Sequence, residues 1–118
     1  MARLVVILAL ALFAAGCGSS SSSNGANTQQ QTQDDALAKS NARTAVTEIE
    51  SCFVDRAAYT GCEPSQAGVS ATTTDTTYQV TAESKSGNSF VVSRAGSGAL
   101  KRTCTTAGDG GCPAGASW

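Results

Sequence analysis

The chain has no histidine, one methionine and two prolines, and Phe, Trp and Tyr together make up only 5% of its 118 residues. The absence of histidine removes the side chain that most often moves protons near neutral pH, so histidine-based acid–base and triad chemistry is excluded. Charge is sparse too: Asp, Glu, Lys and Arg amount to 14%, and no acidic residue precedes Asp34. Long hydrophobic runs are also lacking. The longest is the twelve-residue stretch Leu4–Ala15, which as a helix would reach about 18 Å, short of a hydrocarbon core of roughly 30 Å.

What is present begins with that run. In "MARLVVILALALFAAG" a single cation, Arg3, precedes the apolar stretch, and small residues end it, which is the layout of an export signal over residues 1–16. Ala14, Ala15 and Gly16 directly before Cys17 resemble the lipobox of bacterial lipoproteins, although Ala14 stands where leucine is usual. The resemblance implies cleavage before Cys17 and acylation of its sulfur, so that the chain attaches to a membrane through lipid. An ordinary secretory signal cleaved nearby is the alternative. Cysteine parity favours the lipid: of five thiols, Cys52, Cys62, Cys104 and Cys112 can pair, which leaves Cys17 over.

From Gly18 to Gln33 the chain holds no charge and no large apolar side chain. Such a segment cannot offset its ordering entropy and reads, with Cys17, as a disordered Ser/Gln-rich tether over residues 17–33, about 20–24 Å from end to end as a coil. Residues 34–118 form the foldable domain. At 85 residues it buries about 60–65% of its unfolded surface, so disulfides would reinforce a thin core. After loss of Arg3 the net charge is −2, distributed as −5 over residues 34–83 and +3 over residues 84–118. That balance makes no general case for nucleic acid.

"DDALAKSNARTAVTEIESCFVDRA" carries a helical period. Ala38, Ala42, Ala45, Val46, Ile49, Cys52, Phe53 and Arg56 fall on one stripe, which predicts a helix from about 35 to 57 with Asp34 and Asp35 at its N-terminal cap. "TYQVTAE" and "SFVVSRA" alternate with period two, and "ALKRTC" offers a third strand. The fold class predicted is α+β: one N-terminal helix packed on a small three-stranded antiparallel meander, followed by a glycine-rich loop, with Trp118 folded back onto the sheet or helix.

Four thiols permit three connectivities, and the sequence alone does not choose among them. The pairs Cys52–Cys62 and Cys104–Cys112 are preferred, because crossed pairing needs Cβ atoms about 4 Å apart across the domain. Intervals of nine and seven residues do not suit structural zinc, whose cysteines usually lie two to four residues apart.

Taken in order, "AKSNARTAVTEIESCF", "YTGC", "SKSGNSFVVSRAGSGALKRTC" and "GDGGCPAGASW" resemble the globular domain of type IV pilins and type II secretion pseudopilins, over residues 34–118. The resemblance implies a helix on an antiparallel sheet and a C-terminal loop closed by Cys104–Cys112. It implies a pilus or secretion-system protein as partner. The pilin stem is missing: no prepilin peptidase site with Gly before Phe opens the chain, and a signal and tether replace the filament-forming helix. The chain is therefore not expected to polymerise as a major pilin.

The remaining side chains offer little chemistry. Glu48 and Glu50 lie two apart, do not face each other, and with Asp55 read as a solvated helix face. Some pseudopilins bind calcium in the C-terminal loop, but Asp109 is the only acid there, and calcium wants six to eight oxygens. Lys85, Arg94, Lys101 and Arg102 are candidates for a basic surface, a weak footprint for DNA without interleaved aromatics. The sequence thus leads to a non-enzymatic, lipid-anchored envelope protein facing outside the cytoplasm, with no cofactor, no metal and no small-molecule substrate. The second reading is a secreted or minor-pilin-like adhesive, ligand-binding or DNA-binding module without lipid.

Overall fold

A computed structural model describes residues 23–118 of the chain, and the side chains from Gln29 onward. The signal expected over residues 1–16 and the expected lipidation of Cys17 lie outside the described residues, as does the start of the expected tether. Helix α1 (Ser23–Arg56) is followed by strands β1 (Val69–Thr73), β2 (Tyr78–Glu83), β3 (Ser89–Arg94) and β4 (Leu100–Cys104). The strands form one antiparallel sheet in the order β1-β2-β3-β4, and α1 packs across one face of it.

The α+β class with one helix on an antiparallel meander is present, but the sheet has four strands where the sequence predicts three. The additional strand, β1, is "VSATT": its buried side offers only Val69, Ala71 and Thr73, so its alternation is nearly silent in hydrophobicity. Pairing with β2, Val69 against Ala82 and Ala71 against Val80, supplies what the side chains lack.

The helix starts earlier than expected. Residues 23–33, predicted as disordered tether, are its first turns, and Asp34 and Asp35 lie inside it rather than at its cap. Once the packed portion is nucleated, each further residue costs only propagation, which glutamines support well. At the other end Ala57 takes a left-handed φ of 59° and donates its N–H to Phe53 O at 2.7 Å, ending the helix.

The core follows the predicted stripe. Ala38, Ala42, Ala45 and Ile49 are buried against Tyr78, Val80, Ala82, Phe90 and Val92, with Val46, Cys52 and Phe53 partly buried beside them, while Arg56 is exposed. The small alanines let the helix approach β2 and β3 closely, and β4 has no helix above it. Trp118 returns to the sheet as expected: its ring meets Phe90 edge-on at 5.8 Å, and its Nε1 donates to Thr103 O at 2.8 Å. Among the described residues, no helix is long and apolar enough to cross a membrane.

Candidate functional site

Three carboxylates on α1 hold the loops, and they define what the surface can present. Asp35 is fully buried. It accepts hydrogen bonds from Ser86 Oγ at 2.5 Å, from Asn88 Nδ2 at 3.0 Å and from the Gly111 N–H at 2.7 Å. Asn88 Nδ2 also donates to Asp109 O at 3.0 Å, so the β2–β3 turn and the C-terminal loop are fastened to the helix at one point. Burial pushes this carboxyl up, but hydrogen bonds from Ser84, Ser86, Asn88 and Gly111 outweigh it and hold the group below its ordinary value.

Glu48 grips the segment before β1. It accepts from Ser65 Oγ at 2.6 Å, the Ser65 N–H at 2.8 Å and Gln66 Nε2 at 2.8 Å, and these bonds lower its pKa. Glu50 faces the far end of the sheet, where Tyr59 and Tyr78 each donate their hydroxyl to it at 2.9 Å, and Arg94 Nε lies 3.9 Å away. Burial, reinforced by the bond to Glu50, raises the pKa of both tyrosines. Glu48 and Glu50 thus remain partly exposed, as expected of a solvated face, but their carboxylates are engaged by other elements, whereas Asp55 is simply exposed. Sequence spacing showed correctly that the two glutamates do not meet. It could not show that their partners lie nine to twenty-eight residues away, in the segments before β1 and at the start of β2.

The bonded cysteine pairs are Cys52–Cys62 and Cys104–Cys112, with Cα atoms 5.9 and 5.8 Å apart. The first ties the end of α1 to the loop after it, and the second closes the C-terminal loop. Asp109 is exposed, and its carbonyl is occupied by Asn88. No group of three or more His, Cys, Asp and Glu gathers among the described residues.

The four candidate cations do not form one surface. Strand register sets Arg94 opposite Leu100 and Arg102 opposite Val92, on the helix side of the sheet, whereas Lys101 sits opposite Ser93 on the outer side. Lys85 lies in the β2–β3 turn. Arg94 is committed internally, donating to Thr76 O at 2.8 Å and lying over the Tyr59 ring. The positive feature that does assemble combines Arg102 with Arg43 and Lys39, which lie outside that candidate set. The guanidiniums of Arg43 on α1 and Arg102 on β4 stand 5.3 and 5.4 Å from the centre of the Trp118 ring, and Lys39 Nζ stands 5.3 Å from that of Phe90. Lys39 and Arg43 are four apart on one helix flank, a spacing visible in the sequence. The return of Trp118 between them and β4 requires the folded C-terminal loop.

Beside this stack, the uncovered side of β4 leaves an open notch of about 230 Å³ between helix and sheet, lined by Arg43, Val46, Thr47, Val92, Leu100 and Arg102. Leu100 is 54% exposed at its mouth. The chain matches no family model, no curated protein and no solved structure.

Proposed function

We propose that this chain is a non-enzymatic, lipid-anchored envelope protein, held by acyl chains on Cys17 and displaying a pilin-like head outside the cytoplasm for contact with a pilus, a secretion assembly or an external surface. The observation that carries the reading is a disulfide-stapled α+β head whose helix runs on past the sheet toward Cys17. The polar turns ahead of Asp35 act as a stalk, at about 1.5 Å per residue. Two disulfides in so small a head suit an oxidising compartment. The pilin likeness rests on the four ordered segments and on this helix-on-meander topology with its closed terminal loop.

Fractionation of cells making the wild-type chain and the Cys17→Ser variant tests the proposal. The wild type is expected in the envelope fraction and released by detergent, and the variant in the periplasmic or external soluble fraction. Equal membrane association of both chains would defeat the lipid anchor.

A further inference from the structure

We propose that the notch between α1 and β4 is the contact site of the head, and that it receives an extended acidic peptide segment of a partner protein, with one leucine-sized side chain in the notch and flanking carboxylates on Arg43 and Arg102. The inference rests on the reading of the head as a contact domain.

Charge supplies the first argument. Neither Arg43 nor Arg102 has an acidic partner within 4.0 Å among the described residues, although the chain as a whole carries net charge −1. Both guanidiniums lie over the same indole, which keeps them near each other and lowers the cost of presenting two forks to an incoming carboxylate. Size supplies the second. At about 230 Å³ the notch is smaller than the 300–1,000 Å³ typical of sites that enclose a free small molecule, yet its Val46, Val92 and Leu100 walls accept a single apolar side chain. Backbone supplies the third. β4 is an edge strand, and the C-terminal segment pairs with it at Thr103, opposite Ser117, with Cys104 N–H donating to Ala116 O. On the edge away from β3, Leu100–Arg102 has no strand paired with it among the described residues, so an extended segment can pair there while alternate side chains face the notch.

The single tryptophan, Trp118, reports directly on occupancy. The full chain is titrated with acetyl-Glu-Thr-Leu-Thr-Glu-amide, whose Glu, Leu and Glu share one face when extended, and with the corresponding peptide carrying lysine for glutamate. The glutamate peptide is expected to change Trp118 fluorescence saturably with Kd at or below about 1 mM, and the lysine peptide is not. Arg43→Glu and Arg102→Glu are expected to weaken the glutamate peptide by about tenfold or more each, and the double variant to gain binding of the lysine peptide. Leu100→Ser, at an exposed position, is expected to weaken it without altering the fold, which near-UV circular dichroism checks. Equal response to both peptides, or no saturable response, would overturn the proposal. Arginine-dependent binding to phosphatidylglycerol vesicles without peptide binding would assign the notch to a lipid surface, and a concentration-dependent dimer would assign it to a second copy. Either result would overturn the proposal while leaving the Cys17 fractionation result untouched.

Discussion

The Asp35 carboxylate on α1 accepts the backbone N–H of Gly111 at 2.7 Å, across 76 residues of chain. This bond, with those from Ser86 and Asn88, makes one helix position the fastening point for both a hairpin turn and the disulfide loop. Replacing Asp35 with alanine strands buried donors. The expected loss is about 3 kcal/mol of unfolding free energy, since hydrogen bonds to a charged group contribute about 1.5–3 kcal/mol each and partly relax on removal. Denaturant unfolding checks the loss, and hydrogen exchange at Gly111 is expected to accelerate.

The same contact leaves no room for side chains at Gly110 and Gly111. A Cβ on Gly111 would lie 2.7 Å from Asp35 Cβ, and one on Gly110, which has a φ of 55°, would lie 2.5 Å from Asp35 Oδ2. Because Asp35 Cβ is fixed to the helix backbone, the loop must move instead. Gly111→Ala is expected to cost about 1–3 kcal/mol, whereas Gly115→Ala, with open space around it, is expected to be close to neutral.

Acid unfolding follows from the lowered carboxyls. A group whose folded pKa lies below its unfolded value contributes stability that is present above the unfolded pKa and lost as pH falls through the folded one. Asp35 and Glu48 both belong to this class, so stability is expected to be flat from neutral pH down to about 5 and to fall below about 4. The Asp35→Asn variant, measured by urea unfolding across that range, is expected to show a shallower fall.

The tyrosines give the opposite sign. Their raised pKa favours the neutral phenol in the folded chain, so this contribution is present below about pH 10 and is lost as pH rises through the folded values. Absorbance at 295 nm, with only two tyrosines to follow, is expected to show phenolate formation above the ordinary range. Glu50→Gln is expected to lower the midpoint.

Each disulfide closes a short loop, with sequence separations of 10 and 8 residues. The chain-entropy relation gives roughly 2.5–3 kcal/mol apiece. The Cys104→Ser/Cys112→Ser double variant is expected to lose that amount and also to loosen Trp118, because Cys104 N–H and Thr103 O hold the returning C-terminal segment. A red shift in Trp118 emission before global unfolding checks this. The Cys52→Ser/Cys62→Ser variant is expected to leave the emission in place.

The alanine stripe from Ala38 to Ile49 was legible because a helix repeats its buried face locally, and β2 and β3 were legible because Tyr78, Val80, Phe90 and Val92 alternate in size. β1 was not, since Thr and Ser occupy the positions where alternation would show and pairing with β2 decides its conformation. The helix turns before Asp34 escaped a reading based on entropy and composition because the adjoining packed helix carries them. Asp35 has a different role from the one its place in the sequence predicts. Its charge and place suggested a cap, while its actual partners, Ser86, Asn88 and Gly111, are set by the folding of distant turns. Arg102 belongs to a set of cations that the strand register separates, and its pairing with Arg43 around Trp118 depends on the same long-range closure.

Intact mass spectrometry of the mature chain purified from the envelope tests the central claim most directly. The expected result is a polypeptide starting at Cys17, heavier than its sequence by attached acyl groups, with all four other cysteines oxidised. A mature chain that retains residues 1–16, or one that starts at Cys17 with no added acyl mass, would contradict it.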